Sequence, residues 1–340
     1  MTIAVTGGTG FIGQALVRKL VEDGEKVRLI ARASSQVGHL ARLPIEIIRA
    51  ELGNVSSLRS ALAGCQQLYH LAAYARNWAS DRETFYRVNV EGLRNVLEAS
   101  FSCGLKRLVY VSSSVANGPS LNGPVSESNS RENIPYFTEY EESKALSEKI
   151  IPEYLDRGLE IVVAKPTRVY GPGKLTEANS VTRMIRTYLK YRVCLILNQG
   201  KETGNYVFVD DVVQGLKLMM EKGRPGEDYI LGGENISLSG FFDALEEVSG
   251  RKALRIKISV PLAVTISRFE SWKAKTLGFY PLITEGWVRT FLQDWSFSHE
   301  KAAKELGYQP RSLKEGLRLT CEWLGYISGD DLKEGWNKNR

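Results

Sequence analysis

A glycine-rich turn directly follows an apolar run at the start of the chain. The run is Ile3-Ala4-Val5, and the turn is Thr6-Gly7-Gly8-Thr9-Gly10-Phe11-Ile12-Gly13. Apolar residues then recur at helical spacing, so the segment predicts a strand, a tight turn and a helix start. Backbone N–H groups and the positive end of a helix would then face a common point, which suits a pyrophosphate. Gly7 would allow the turn, Gly10 the approach of phosphates, and Gly13 close packing of helix on strand. An ordinary strand–helix turn is the alternative.

The second predicted strand ends in a basic residue where many nucleotide sites have an acid. NAD sites normally place Asp or Glu here to bind the adenosine ribose hydroxyls, whereas this chain has Ala31 and Arg32. A guanidinium binds a 2′-phosphate through paired, charge-assisted hydrogen bonds. Arg32 therefore favours NADP(H) over NAD(H). Arg28 is a second candidate, although alternate strand residues face opposite sides, and a solvated charge is the alternative for Arg32.

Composition excludes several classes of protein. The 340 residues carry a net charge of +6, which is mild, and no basic cluster interleaves with aromatics as nucleic-acid binding would require. No apolar run approaches the roughly 18 residues that span a bilayer, and the N-terminus enters a strand directly, so we expect no signal peptide. The four cysteines show no CxxC spacing and the histidines no metal pattern. We expect a cytoplasmic protein with reduced thiols and no metal.

Strands and helices alternate through the first half of the chain. Predicted strands are 2–6, 26–31, 45–49, 67–71, 106–112 and 159–164, and predicted helices are 11–22, 56–63, 82–103 and 139–157. Later elements are helices near 178–191, 211–222 and 238–249, strands near 193–197, 206–209 and 254–258, a helical region at 261–294 and a terminal helix at 312–325. This order predicts an α/β fold, a Rossmann-type doubly wound parallel sheet with a smaller, mainly C-terminal α/β substrate-binding domain.

The two predicted domains interleave along the chain. The dinucleotide-binding domain takes residues 1–170 and about 205–225, and the substrate-binding domain takes about 171–204 and 226–340. Residues 117–138 are rich in Gly, Pro, Ser and Asn and read as one long loop. Long loops in compact domains are often functional lids.

Tyr140 and Lys144 form a Tyr-x-x-x-Lys pair in a segment without helix breakers. Residues four apart share one face of a helix, and an ammonium beside a phenol favours the phenolate. Such a pair can pass a proton to or from a carbonyl or alcohol oxygen. Tyr170 and Lys174 have the same spacing, but Gly171-Pro172-Gly173 between them breaks a helix. Two exposed helix residues are the alternative reading of Tyr140 and Lys144.

Three serines, 112–114, close the fifth predicted strand. Ligands of open α/β sheets bind outside the carboxyl ends of the strands, so a hydroxyl here could hold a substrate oxygen against Tyr140. Turn chemistry is the alternative.

Together these features resemble the extended short-chain dehydrogenase/reductase superfamily, the NAD-dependent epimerase/dehydratase family. The resemblance covers nearly the whole chain. It rests on the glycine turn, the serine run, Tyr140-x-x-x-Lys144 and four further motifs, which are His70-Leu71-Ala72-Ala73, Val88-Asn89-Val90-Glu91-Gly92 with Asn95, Lys165-Pro166-Thr167-Arg168-Val169-Tyr170-Gly171-Pro172-Gly173, and Val209-Asp210-Asp211-Val212.

The resemblance implies roles for individual residues. Tyr140 would be the general acid/base, Lys144 would lower its pKa and bind the ribose, and Ser113 would be the catalytic serine, with Ser114 as the fallback. Glu51 stands where the family usually has an Asp that contacts the adenine. The implied cofactor-binding residues are Gly7, Thr9, Gly10, Phe11, Ile12, Gly13, Arg32, Glu51, Leu52, Ala72, Ala73, Tyr140, Lys144, Pro166 and Val169.

Two branches of the superfamily compete. One branch contains reductases that resemble dihydroflavonol reductase and 3β-hydroxysteroid dehydrogenase. Arg32 favours this branch, and so does Gly204, because sugar enzymes commonly carry an arginine at the position of Gly204. Sugar enzymes usually have a Tyr-Gly pair where this chain has Asn117-Gly118, which also favours the reductase branch. Segments at 74–79 and 229–235 also resemble hopanoid-associated sugar epimerases, a group that suggests an apolar, isoprenoid-like substrate.

The expected function is therefore NADP-dependent hydride transfer to or from a carbonyl or alcohol of a small, apolar substrate. A nucleotide-sugar epimerase or dehydratase is the first alternative, and a non-catalytic NADP-binding protein is the second. Substrate contacts are expected from Trp78, Ser114 and Asn117, and from an aromatic region at 261–295 whose alternative role is plain core. Lys273 and Lys275 beside Trp272 are compatible with a helix that lies on a membrane surface. The resemblance to the superfamily is compatible with a homodimer.

Overall fold

The computed structural model describes residues 1–129, 131 and 134–327. Three residues of the predicted loop (130, 132 and 133) and the end of the predicted substrate-binding domain (328–340) lie outside this range. The strands are β1 (Thr2–Thr6), β2 (Lys26–Ala31), β3 (Glu46–Arg49), β4 (Gln67–His70), β5 (Arg107–Val111), β6 (Glu160–Pro166), β7 (Arg168–Tyr170), β8 (Val193–Leu197), β9 (Thr203–Phe208), β10 (Asp228–Leu231), β11 (Glu234–Ser237) and β12 (Leu254–Ile258).

Helices follow most strands and cover the sheet. They are α1 (Phe11–Glu22), α2 (Val55–Leu62), α3 (Glu83–Tyr86), α4 (Gly92–Ser102), α5 (Glu139–Glu148), α6 (Ile151–Asp156), α7 (Ser180–Tyr191), α8 (Val209–Lys222), α9 (Leu238–Ser249), α10 (Val260–Leu277), α11 (Glu285–Phe291), α12 (Glu300–Leu306) and α13 (Leu313–Trp323). A π-helical segment, Arg87–Glu91, joins α3 to α4. No helix within the described range is long and apolar enough to cross a membrane.

Seven strands pair in parallel in the central sheet, in the order β10-β6-β5-β4-β1-β2-β3. The order reverses between β1 and β4, where Thr6 pairs with both Ile30 and His70. Ligands of such sheets bind in the crevice at the carboxyl ends on either side of this point. The topology therefore predicts that ligand-binding residues follow β1, β2, β4, β5 and β6.

The strands are buried on both faces because helices cover both. Ile3 and Val5 of β1 lie in the cluster on one face, whereas Ala4 lies in the cluster on the other. In β5, Val109 likewise lies in the first of these clusters and Leu108 in the second. Strands buried on both sides read as continuous apolar runs, which explains why these two were recognisable in the sequence.

Two small sheets lie beside the central one. β9 pairs in parallel with β7 and antiparallel with β11, while β8 and β12 form a parallel two-stranded ribbon. β8, β11 and β12 come from the ranges predicted to hold the substrate-binding domain, whereas β7 and most of β9 come from the ranges assigned to the dinucleotide-binding domain.

The predicted α/β fold with a Rossmann-type parallel sheet is confirmed, with differences in detail. β10 and α12 were not predicted, and β10 adds an edge strand to the central sheet from the range assigned to the other domain. The predicted helix 139–157 is two helices, and the second begins at Ile151 with Pro152 in its first turn. The predicted helical region 261–294 divides after Gly278, whose φ of +71° ends α10. The division into two domains stays a prediction.

Candidate active site

The glycine turn after β1 packs against the end of β4. Gly7 has a φ of +70°, and a Cβ atom on it would lie 2.5 Å from the backbone nitrogen of Ala72. A Cβ on Gly13 would lie 2.3 Å from the Gly7 carbonyl oxygen, which itself accepts a 2.9 Å hydrogen bond from Gly10 N–H. Only glycine fits such approaches, so these residues hold the start of α1 tightly against the sheet.

The N-terminus of α1 is open to a ligand. Its N-cap is the exposed Gly10, which has no side chain to accept the first-turn N–H groups. Phe11 is buried under the turn, and Thr9 and Ile12 are half-buried. Free N–H groups at a positive helix end suit a phosphate, so the turn fits the pyrophosphate that the sequence predicts.

Two arginines and a carboxylate meet where β2 ends. Arg32 is exposed, and its carbonyl oxygen accepts a 2.7 Å hydrogen bond from Nη1 of Arg49. Ala33 N–H donates to Oε1 of Glu51 at 3.2 Å. Sequence reasoning missed Arg49, because only the pairing of β2 with β3 brings it here. Arg28, the second candidate for a 2′-phosphate, lies elsewhere: it donates to Glu46 and to carbonyls at the end of α2.

The other predicted adenosine contacts border the same edge. Leu52 is half-buried, and its carbonyl oxygen accepts a 2.8 Å hydrogen bond from Asn95 Nδ2. Ala72 and Ala73 follow β4 and are half-buried, and Ala72 N–H reaches Oγ1 of Thr6 at 3.4 Å. These residues line the crevice on both sides of β1.

Lys144 is buried and tied to β5. Its ammonium donates to the phenol oxygen of Tyr110 at 3.2 Å and to the carbonyl of Val111 at 2.9 Å. Burial lowers the Lys144 pKa to about 8, and the charge of Glu148, one turn further along α5, opposes that effect. Glu148 in turn accepts a hydrogen bond from Ser112 and pairs with the buried Lys165 at 3.0 Å.

Tyr140 lies on the same helix, half-buried, with the Ser113 hydroxyl beside its phenol. Thr138 caps the helix by accepting from Glu141 N–H at 3.2 Å, which fixes where α5 begins. Burial raises the Tyr140 pKa to about 12, and the hydrogen bond with Ser113 acts in the opposite direction. The lowering of this pKa by Lys144 stays a prediction. The structure brings Ser113, Tyr140 and Lys144 to one place, at the end of β5.

Asn89 is a site residue that was not singled out from the sequence. It is buried in the π-helical segment, donates from Nδ2 to Ser143 Oγ at 2.9 Å, and accepts from Tyr74 N–H at 2.7 Å. Ser143 lies between Tyr140 and Lys144, so Asn89 positions their helix. Single π turns are frequent at functional sites. The Val88–Gly92 motif was the only sequence signal for this residue.

The remaining predicted contacts surround this centre. Pro166 and Val169 are buried at β6 and β7, and Ser114 is buried after β5. Asn117 is buried as well; its Nδ2 donates to the Ser126 carbonyl at 3.4 Å, while its Oδ1 has no partner among the described residues. Trp78 is half-buried and meets Tyr280 edge-to-face at 5.6 Å.

Gly204 leaves space that another side chain occupies. A Cβ there would lie 2.5 Å from Nη1 of Arg168. The Arg168 guanidinium donates to the phenol oxygen of Tyr206 at 3.3 Å and stacks over Phe291, 5.2 Å from the ring centre. A guanidinium is therefore present beside Gly204, but it comes from β7 and rests on aromatic rings.

Known proteins match nearly the whole chain. A putative dihydroflavonol 4-reductase of Synechocystis is 33% identical over 95% of this chain and 95% of its own. Sterol demethylase protein B of Methylococcus capsulatus is 30% identical over 95% and 98%. The structure of a UDP-glucose 4-epimerase from Thermotoga maritima with UDP-glucose is 26% identical, covers 96% of this chain and 99% of that one, and gives a TM-score of 0.79. The profile of one family matches residues 3–232. This chain is an enzyme of the NAD dependent epimerase/dehydratase family.

Proposed function

We propose that this enzyme is an NADP-dependent oxidoreductase that interconverts a carbonyl and an alcohol on a small, apolar substrate. The observation that carries the proposal is that the end of β5 brings Ser113 beside the Tyr140 phenol, with the buried Lys144 one turn further along α5. A half-buried phenol at the carboxyl end of a strand, beside a cation, can serve as a general acid/base.

The residues around β1 and β2 fit an NADP(H) molecule. The glycine turn leaves a cradle that a Cβ would fill, and the open N-terminus of α1 supplies N–H groups for the pyrophosphate. Arg32 and Arg49 supply two guanidinium groups for a 2′-phosphate, while Glu51 accepts from the backbone beside them. When bound, the nicotinamide supplies or accepts the hydride.

The chain's own residues handle the proton. In the direction of reduction, Tyr140 donates the proton of its phenol to the carbonyl oxygen as the carbon receives the hydride, and in oxidation it accepts that proton back. Ser113 holds the substrate oxygen against Tyr140. Lys144 stabilises the phenolate through its charge and binds ribose hydroxyls. Asn89 keeps α5 in place through Ser143.

An apolar substrate is supported by the aromatic pair of Trp78 and Tyr280. The Trp78 carbonyl accepts a hydrogen bond from Tyr74, whose N–H donates to Asn89. The names of two relatives, a dihydroflavonol reductase and a sterol demethylase protein, agree with a substrate of this kind.

The test is Tyr140→Phe, with Tyr136→Phe as its control. Tyr136 is an exposed phenol four residues earlier, and the Arg131 guanidinium stacks on its ring, which Phe retains. We expect Tyr140→Phe to lower kcat by about 10² to 10⁴ and to leave NADP(H) affinity nearly unchanged, because the phenol contributes proton transfer. Unchanged turnover would remove Tyr140 from the mechanism.

Coenzyme choice is tested by Arg32→Asp. A carboxylate repels the 2′-phosphate and accepts from ribose hydroxyls, so NADP(H) affinity should fall and preference should move towards NAD(H). An NADP(H) dissociation constant equal to that of the wild type would contradict the assignment.

A nucleotide-sugar epimerase or dehydratase is the second candidate, favoured by the likeness to UDP-glucose 4-epimerase. It predicts tight, recycled coenzyme and thermal stabilisation by UDP- or TDP-sugars. A thermal-shift panel of nucleotide sugars against NADP(H) separates the two. A non-catalytic NADP-binding role would require that no carbonyl or alcohol in a broad panel supports hydride transfer.

A further inference from the structure

Helix α10 turns its apolar residues to solvent instead of to the protein. Its buried side holds three small residues and one carboxylate, namely Ala263, Ser267, Glu270 and Ala274. Its exposed side holds five large apolar residues, namely Leu262, Ile266, Phe269, Trp272 and Leu277. Phe269 and Trp272 are 58% and 57% exposed, although their rings stack at 5.8 Å. An ordinary surface helix has the opposite arrangement, so nothing in the described part of the chain covers this face.

The apolar exposure continues on both sides of the helix. After α10, Phe279 is exposed and Leu282 is 88% exposed. Before it, the β8–β12 ribbon exposes Leu195, Leu254 and Ile256 on one face, and Ile256 pairs with Leu195. Alternate residues of a strand share a face, so the outer side of the ribbon is apolar. A single residue, Ser259, joins the ribbon to α10.

Positive charge is concentrated in the same parts of the chain. Residues 178–201 carry five basic and no acidic residues, and residues 248–284 carry seven basic and one acidic residue, while the rest of the chain has 33 basic and 38 acidic. The one acid, Glu270, turns inward, where it accepts from Leu282 N–H at 3.0 Å and pairs with Lys273 at 2.6 Å. This pair cancels the charge of Lys273 as well, and Arg268 and Arg255 pair with Glu285 and Asp243, two acids just outside these ranges. The positive charge of the surface is therefore carried by the other exposed basic residues, such as Lys275.

Helix α7 extends the positive surface next to the ribbon. Arg183, Arg186 and Lys190 are exposed on its outer side. Tyr191 of α7 and Leu195 of β8 border one groove of about 450 Å³, so α7 and the ribbon lie side by side. We call the exposed side chains of α7, of the ribbon and of α10 the basic–apolar face.

We propose that the basic–apolar face docks this enzyme on the surface of an anionic lipid bilayer. Apolar side chains enter the interface between headgroups and acyl chains, and the lysines and arginines meet the lipid phosphates. A second copy of the chain is a poorer occupant, because a two-fold contact would bring two positively charged faces together. The proposal does not depend on the reaction, since binding to lipid is measured without a substrate.

Co-sedimentation with vesicles tests the proposal. We expect the wild-type chain to bind vesicles with about 30 mol% phosphatidylglycerol at least about tenfold more tightly than pure phosphatidylcholine, and the difference should shrink in high salt. The double variant Phe269→Ser/Trp272→Ser should lose about tenfold of this binding. Leu121→Ser is the matched control, because Leu121 is 64% exposed in the long loop and should not affect binding.

A charge variant separates the two contributions. Lys190→Glu/Lys275→Glu, at two exposed positions, should weaken binding to the anionic vesicles much more than binding to phosphatidylcholine. All of these substitutions are at exposed positions, so unchanged thermal melting and NADP(H) affinity would show that the variants are folded.

Two results would overturn the proposal. One is vesicle binding that is absent in the wild type or equal in the wild type and Phe269→Ser/Trp272→Ser. The other is a dimer in sedimentation velocity that this double variant dissociates while neither protein binds vesicles, which would assign the face to contact between copies.

Discussion

Replacing the buried His70 should make the free energy of unfolding depend less on pH below about pH 6.5. His70 ends β4, its Nδ1 lies 2.7 Å from Thr6 Oγ1, and its ring stacks on Tyr110 at 5.8 Å. Burial, with a smaller contribution from the Lys144 charge, lowers its pKa to about 3. The folded protein therefore keeps this imidazole neutral at pH values where the unfolded chain protonates it.

The size of the effect follows from the two pKa values. An imidazole in the unfolded chain titrates near 6.5, so the folded state holds its full contribution above that pH and loses stability as the pH falls towards 3. Each pH unit in this window costs about 1.4 kcal/mol. Because the unfolded imidazole is already half protonated at pH 6.5, the group alone should remove about 2.3 kcal/mol from the free energy of unfolding between pH 6.5 and 4.5.

Urea unfolding of the wild type and His70→Gln at pH 7.5, 6.5, 5.5 and 4.5 measures this contribution. The variant loses the Thr6 contact at every pH, so the informative quantity is the slope: the wild type should lose about 2 to 3 kcal/mol more than the variant from pH 6.5 to 4.5. His299→Gln is the control, because His299 is only half-buried and burial lowers its pKa less. Parallel profiles for the wild type and His70→Gln would refute the reasoning.

Two further predictions concern packing and buried charge. Gly13→Ala should lower the free energy of unfolding by about 1 to 3 kcal/mol, because its Cβ would lie 2.3 Å from the Gly7 carbonyl oxygen, whereas Gly53→Ala, with no atom within 4 Å, should leave Tm unchanged in differential scanning fluorimetry. Arg131→Met should cost about 3 to 5 kcal/mol in urea unfolding, because Glu141, 2.7 Å away and 2% exposed, would keep an uncompensated charge. Lys304→Met breaks the exposed pair with Glu300 and should have little effect; an equal loss in both variants would contradict this view of the Arg131 pair.

Local pattern was enough to predict most of the central sheet. β1 and β5 are continuous apolar runs followed by turn residues, and such runs identify buried strands without tertiary information. β10 escaped prediction because it has only four residues, Asp228–Leu231, and joins the sheet through pairing with β6, some 60 residues earlier. The π-helical turn at Asn89 also escaped, since one extra residue per turn leaves the apolar spacing of the flanking helices intact.

The outward apolar face of α10 reverses the usual rule. The predicted helical region at 261–294 does contain α10, and an apolar stripe such as Leu262, Ile266 and Phe269 normally packs on the core. In the structure the small side of the helix, at Ala263 and Ser267, is buried instead. Periodicity identifies which residues share a face, but the shape of the neighbouring surface decides which face is buried.

In the candidate site too, residue spacing predicts which side chains share a helix face, whereas their partners are set by tertiary contacts. The four-residue spacing places Tyr140 and Lys144 on one face of α5, and that much could be predicted from the sequence. Their neighbours come from β5: Tyr110 and Val111 hold Lys144, and Ser113, two residues further on, lies beside Tyr140. One strand end thus fixes both reactive groups of the helix. Because each has its own partner, the ammonium is positioned before any ligand binds, and the phenol stays neutral until charge is brought to it.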